Sequence, residues 1–409
     1  MNEGDSLRHA YDATPYHDQT FRAFDVARLL GLAELFRVRA KRDGSRALRV
    51  LDLGCASGLH LREQAARYPH IDFVGIDFSS SEIELGKKAA SEDGLSNVRL
   101  IQADLRTYDL ESELGAESFD LVLCHGVFSW VPDDVKERIF LLARQAMRPE
   151  GLAAIAYLTY PGWKQLEAFR ELLAMRLDGT QDPEERIRQS ALLLRFLKSS
   201  YEAAPNNIQA QSLAAMVERM QNSSSNAFLH DELGAIHDPC YFLQFVEWAE
   251  EYGLQYVAET DLGTMRAEGL DERTKPILTE LAPGFLETQQ WVDFAVNRSG
   301  RSSLLARSDA SLERGFDAND LSELEFGTQW FDVTPQNAPD DAKAVFESPA
   351  GRRFETTCAA TAAIIVRATQ DRDASFGFRE LVPDDSASAR SDLLAGLIGL
   401  GILEPRARV

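Results

Sequence analysis

The first part of the chain predicts a doubly wound α/β fold, and three observations carry that expectation. Short β-rich apolar runs alternate with helical stretches, the first run ends in a glycine-bearing turn, and acids stand at the ends of the second and third runs. Such alternation implies a parallel sheet covered by helices on both faces. Ligands then bind beyond the carboxyl ends of the strands, where the strand order reverses.

Taken in order, residues 21–40 read as an amphipathic helix with apolar positions at Phe21, Phe24, Leu29, Leu32, Leu35 and Phe36. Strands follow at Arg49–Leu53, Asp72–Ile76, Val98–Gln102, Leu121–Cys124 and Leu152–Leu158, with helices around 58–67, 80–92 and 133–147. After Trp163 the texture changes. Residues 164–226 are mostly helical in pattern and hold a polar break, QNSSSN, at 221–226; apolar helical faces recur at 241–249 and 288–296. A polar stretch at 307–320 reads as a linker to a last unit, which ends in a helix, Ser391–Leu400, and a short apolar Ile402–Leu403. The expected division is 1–165 for the sheet domain, 166–306 for a mostly helical middle domain and 307–409 for a small α+β domain.

Composition narrows the function classes. With 409 residues, 44% of them hydrophobic, the chain can bury more than one core. No apolar run reaches the ~20 residues a bilayer span needs, and the start, MNEGDSLRHAYD, lacks the layout of an export signal. A cytoplasmic protein without membrane insertion is expected. The net charge of −22, from 43 basic and 65 acidic residues, offers no basic footprint for phosphate backbones, so nucleic acid is not an expected partner. Cys55, Cys124, Cys240 and Cys358 form no C-x-x-C pair, and His230 and His237 miss the i, i+4 spacing of helical metal ligands. No metal site is expected, and the two histidines read as structural.

The densest chemistry lies in VLDLGCASG, Val50–Gly58. A strand ends in Asp52, Leu53 and Gly54, and a turn through Cys55, Ala56 and Ser57 leads to Gly58, which opens a helix. A dinucleotide loop would read G-x-G-x-x-G with a helix N-terminus facing a pyrophosphate. Here the pattern is D-x-G-x-x-x-G, and an acid before the first glycine suits a zwitterionic amino acid better than a diphosphate. Asp52 would meet the ammonium and the amides of the turn the carboxylate. The second strand delivers Asp77, followed by Phe78; a carboxylate there can accept both hydroxyl protons of a ribose. Asp77 could instead merely cap the next helix, but Ser79 with Glu82 is the better capping pair. The third strand ends IQADL, which puts Asp104 and Leu105 where an adenine edge would lie. At the end of the fourth come His125 and Gly126, the histidine equally suited to orient a loop or to act as a base.

Asp52–Gly58, Asp77 and Asp104 resemble the cofactor motifs of Rossmann-like class I methyltransferases, which use S-adenosylmethionine and leave S-adenosylhomocysteine. Three further stretches resemble a narrower family, bacterial (rickettsial-type) outer-membrane-protein lysine methyltransferases with a methyltransferase regulatory domain. These are YDATPY at Tyr11–Tyr16, HGVFSWVP at His125–Pro132 and YLTYPGW at Tyr157–Trp163. Phe228–Glu259 and Gln289–Leu305 are similar to the regulatory-domain pattern. The resemblance implies cofactor contacts from Tyr16, Asp52, Gly54, Cys55, Ala56, Gly58, Asp77, Phe78, Asp104, Leu105, His125 and Gly126. His125, Tyr157 and Tyr160 are its catalytic candidates, with Trp130, Tyr160 and Trp163 around the substrate. The chain departs from the family at Leu59 and His60, where Gly-Asn is usual, and at Leu158, where an Asn beside the sulfonium is usual.

Three readings stand at this stage. The leading one is a protein-lysine methyltransferase acting on a protein with an accessible lysine. A small-molecule N- or O-methyltransferase would use the accessory domains as a lid. A cofactor-binding regulatory protein would lack turnover. A homodimer is one expectation for its assembly.

Overall fold

The apolar runs pair side by side in the computed structural model, which describes residues 20–407 except 39–45, 181, 223–227, 229–232, 235, 266–272, 315–320, 322–323, 336–342, 350, 372–373 and 383–386. The first helix, α1 (Val26–Leu35), is followed by β1 (Leu48–Leu53), α2 (Leu59–Arg67), β2 (Ile71–Asp77), α3 (Ser80–Glu92) and β3 (Val98–Gln102). Next come α4 (Leu110–Leu114), β4 (Phe119–Cys124), α5 (Asp133–Ala146) and β5 (Met147–Leu158). β1 pairs in parallel with β2 and β4, β2 with β3, and β4 with β5. The side chains of β1 and β4 are buried on both faces, which is why these central strands read as nearly continuous apolar runs, whereas the edge strand β3 buries only Leu100.

Three helices then leave the sheet: α6 (Lys164–Leu177), α7 (Pro183–Glu202) and α8 (Ile208–Gln221). They enclose a small core of their own around Phe169, Leu173, Leu194 and Val217. Helix α9 (Phe242–Glu251) returns to the sheet and leads to β6 (Leu254–Glu259), α10 (Thr274–Leu281), α11 (Phe285–Val296) and β7 (Gly300–Arg307). β7 lies antiparallel between β5 and β6, giving a seven-stranded sheet ordered β3-β2-β1-β4-β5-β7-β6. The 166–306 segment therefore contributes two strands to the same sheet as residues 48–158.

The last unit holds two small antiparallel sheets. One contains β8 (Glu325–Gly327), the other β9 (Phe331–Asp332), β10 (Ala344–Glu347) and β11 (Arg353–Thr356). Helix α12 (Ala359–Thr369), β12 (Phe376–Gly377), α13 (Phe378–Leu381), α14 (Ala387–Gly399) and β13 (Glu404–Arg406) complete it, β12 and β13 flanking β8. Among the described residues no helix is long and apolar enough to cross a membrane.

The helix expected over 21–40 is shorter and differently placed. A single 3-10 turn, Arg22–Phe24, precedes α1, and α1 is buried on nearly every side rather than amphipathic. The large sheet lies against it on one side and β13 on the other. The Ala407 amide donates to the Ala27 carbonyl at 2.8 Å, and a Cβ at Gly31 would stand 2.7 Å from the Arg406 backbone. Even Arg28 is buried, its Nε 3.5 Å from Glu404. One core consequently runs from α1 and one sheet face into α14, through Leu29, Leu394 and Ile398; α5 and α9 cover the opposite face.

Candidate active site

The cavity of interest opens at the carboxyl ends of β1, β2, β3 and β4, on both sides of the point where strand order reverses between β1 and β4. The turn after β1 is built from backbone special to glycine. Gly54 has φ 85° and Gly58 φ 69°, and a Cβ on Gly54 would meet Val127 at 2.3 Å. Ala56 also has positive φ, 48°, a conformation that costs a side-chain-bearing residue free energy. Asp77 holds it there: the Ala56 amide donates to Asp77 Oδ2 at 2.8 Å and the Ser79 amide to Oδ1 at 2.9 Å. Ser79 caps α3, its Oγ accepting from the Glu82 amide at 3.3 Å.

Asp52, Gly54, Cys55, Ala56, Asp77 and Phe78 all line the cavity, as do Asp104, Leu105, His125 and Gly126. Gly58 stands behind the lining, against Leu100, and Tyr16 lies outside the described residues. Asp52 is buried, and burial, reinforced by the Asp77 carboxylate, pushes its carboxyl up to about 7. Asp104 Oδ1 accepts from the Arg106 amide at 2.9 Å, while the Arg106 guanidinium donates to Asp134 at 2.7 Å. With Arg106 already paired, this wall is net acidic. It suits a cation flanked by hydroxyl and amino donors and disfavours a phosphate.

The opposite wall is aromatic and was largely invisible in the sequence. Phe21 stacks on His125 with ring centroids 3.4 Å apart, and Phe24 meets the same imidazole edge-on at 5.0 Å. His60, at the first turn of α2, accepts from the Phe21 amide at Nδ1 (3.4 Å) and places Nε2 3.3 Å from the Phe24 carbonyl. Burial lowers both imidazoles, His125 to about 4 with His60 as a second cause. Both rings are neutral at pH 7. Leu59 and His60, the departures in the first turn, line the cavity; Leu158 does not. Phe21 and Phe24 carried only an apolar signal, which fitted a helix face as well.

The catalytic candidates are not brought together. His125 lines the cavity, whereas Tyr157 points from β5 into the core under α9, stacked on Phe245 at 3.9 Å and 3.3 Å from Ser303 Oγ through its hydroxyl. Strand alternation turns it away from the ligand side, and burial raises its hydroxyl well above the usual tyrosine range. Tyr160 also lies outside the lining. Its hydroxyl donates to Glu167, Lys164 sits 4.1 Å from its ring centroid, and burial with Glu167 pushes it up to about 12. Trp130 does line the cavity, and Trp163 meets its edge at 6.5 Å.

Comparison with known proteins agrees with this geometry. Residues 50–151 match a methyltransferase domain, and residues 224–307 match a predicted methyltransferase regulatory domain. The uncharacterized protein RP028 of Rickettsia prowazekii (strain Madrid E) is 32% identical over 242 residues, covering 59% of this chain and 94% of that one. RP789 of the same organism is 29% identical over 326 residues, or 80% of this chain, which spans 57% of that relative's length. PKMT2 from Rickettsia typhi, solved in complex with AdoHcy, superposes with a TM-score of 0.79 at 26% identity over 96% of this chain and 77% of that one. Since RP028 is covered over nearly all its length and the PKMT2 match extends over 96% of this chain, the chain belongs to the class I S-adenosylmethionine-dependent methyltransferases that carry a methyltransferase regulatory domain.

Proposed function

We propose that the protein is a protein-lysine N-methyltransferase. The observation that carries this reading is the likeness to PKMT2 along 96% of the chain, so that the helical unit and the C-terminal unit accompany the cofactor domain as one arrangement. A small acceptor needs no such extent of accessory structure.

The residues present fit S-adenosylmethionine. Asp52 would face the ammonium, Asp77 the ribose hydroxyls, and Asp104 with the Leu105 backbone the adenine. His125 and Gly126 would lie near the methyl group, and Trp130, Trp163 and Tyr160 on the acceptor side. When bound, the cofactor supplies an electrophilic methyl group. What remains for the protein is to align the acceptor nitrogen and exclude water. A solvent-exposed lysine titrates at about pH 10.4, so only about one in a few thousand is neutral at pH 7. Trp130 and the apolar rim desolvate the entering ammonium and favour its neutral form, and before that their π faces attract the cation. His125, held neutral, can accept a hydrogen bond without repelling an ammonium.

Incubating the protein with isotope-labelled cofactor and cell lysate tests the reading. The expected result is label on protein, released as methylated lysine after hydrolysis. Label confined to the small-molecule fraction across several lysates would sink it in favour of a small acceptor.

A further inference from the structure

Three rings close on one another at Trp130, which lines the cofactor cavity, while the other two, Trp163 and His237, do not. Trp163 is 6.5 Å from Trp130, His237 is 5.2 Å from Trp130, and His237 is 4.9 Å from Trp163. Two polar atoms in this cluster, Trp163 Nε1 and His237 Nε2, are shut off from solvent and have no hydrogen-bond partner among the described residues. Trp163 is only 7% exposed. Unpaired buried donors are rare in native proteins and call for an explanation at each site. Other polar groups nearby are engaged: Glu167 by Tyr160 and Lys164, and Arg170 by the Gly234 carbonyl.

The indole can only donate, whereas a neutral imidazole offers one accepting nitrogen. His237 is neutral at pH 7, since burial, followed by Arg170, pushes it down to about 4. A ligand satisfying both atoms must carry an acceptor and a donor side by side, as one residue of an extended chain does with its own N–H and C=O. Distance adds a second constraint. The pair lies outside the cavity lining, with ring centroids 6.5 and 5.2 Å from that of Trp130, which does line it, and a lysine side chain reaches roughly 6 Å from its Cα to its nitrogen. Serine, aspartate and asparagine are too short to span from here past Trp130.

Building on the protein-lysine reading, we infer that Trp163 Nε1 and His237 Nε2 form the acceptor subsite, gripping the backbone C=O and N–H of the target residue while the lysine stem runs along Trp130 into the cofactor cavity. His237 lies in a segment, 236–239, without helix or strand and is half-buried; for the chain to enter, its imidazole must turn aside. His237 is then a substrate-binding residue rather than the structural histidine its spacing suggested.

The test uses full-length protein loaded with S-adenosylhomocysteine and labelled with ¹⁵N at its five tryptophans. The Trp163 indole signal is assigned by its loss in Trp163→Phe. Titration with N-acetyl-lysine-N′-methylamide is expected to move that signal, whereas n-butylamine, which lacks the peptide group, leaves it in place. Trp163→Phe and His237→Gln should each weaken binding of the capped lysine at least tenfold and leave affinity for S-adenosylhomocysteine within twofold. No movement of the Trp163 signal up to the solubility limit overturns the inference, as does unchanged affinity in both variants; an ordered water then fills the pair. Label transfer to lysate protein is read separately. Transfer without a Trp163 shift removes the subsite alone, and a Trp163 shift without transfer removes the methyl-transfer reading alone.

Discussion

The carboxylate of Asp77 fastens the amide of Ala56, 2.8 Å away, across the mouth of the cofactor cavity. The acid at the end of β2 thus shapes the turn after β1 as well as facing the cavity. Asp77→Ala removes the charged acceptor for a ribose and frees a residue held at positive φ. Each charge-assisted hydrogen bond lost is worth about 1.5–3 kcal/mol. Cofactor affinity measured by calorimetry should fall at least 100-fold, with a smaller fall in Asp77→Asn, which keeps the shape and one acceptor. Unchanged affinity in the alanine variant would remove Asp77 from the binding site.

Asp52 gives cofactor binding a pH dependence of defined sign. Burial and Asp77 raise its carboxyl to about 7, so below that pH the free protein holds a proton that an entering ammonium must expel. Affinity should rise with pH up to about 7, by at most tenfold per unit, with proton release at pH 6. Above pH ~8 the ligand's own ammonium is lost and affinity should fall again. Calorimetry in buffers of different ionisation enthalpy counts the proton. In Asp52→Asn the acidic limb should flatten, and a limb that persists there would assign the titration to another group.

Phe21 is expected to slow cofactor release. Its ring covers His125, and its amide is held by His60. An aromatic pair is worth about 0.5–1.5 kcal/mol beyond area burial, so Phe21→Ala should speed release about 3- to 10-fold in stopped-flow measurements. The melting temperature of the cofactor-free protein should change little. Equal release rates would leave Phe21 as packing for the segment before α1.

Tyr157→Phe is predicted to leave methyl transfer within twofold of wild type. The lost hydroxyl contact to Ser303 costs about 1 kcal/mol of stability, and Ser303 keeps its bond to Glu259 at 2.8 Å. A large fall in kcat with unchanged melting temperature would return Tyr157 to the catalytic set.

Much of the sheet was legible because its parallel strands are largely apolar and their carboxyl ends carry the polar chemistry. Asp52, Asp77 and Asp104 stand out in sequence because they come at or just past the carboxyl ends of their runs, whereas Asp72 and Asp120 fall near the beginnings of theirs. What could not be read was pairing across long separations. Nothing in Leu254–Glu259 or Gly300–Arg307 announces that these strands extend a sheet begun at Leu48. The buried charges that secure them, Arg301 with Glu259 and Asp293, look like surface residues until their partners are known. The sequence marked His60 only as a departure and His237 only as a structural histidine for a related reason: the rings beside each are supplied by distant segments.

Helix α1 also sets an order of events on the ribosome. It is the first of the described helices to be made, yet β13, which covers its second side, is completed only at Arg406. At about 5–20 residues per second, the helix waits roughly 20–70 s with an apolar side uncovered. Gly31, where a Cβ would strike the Arg406 backbone, lets the late strand seat closely once it arrives. The nascent chain therefore needs protection at this helix until β13 emerges, and a chain stopped before β13 should be a substrate for chaperones or proteases rather than a smaller working enzyme.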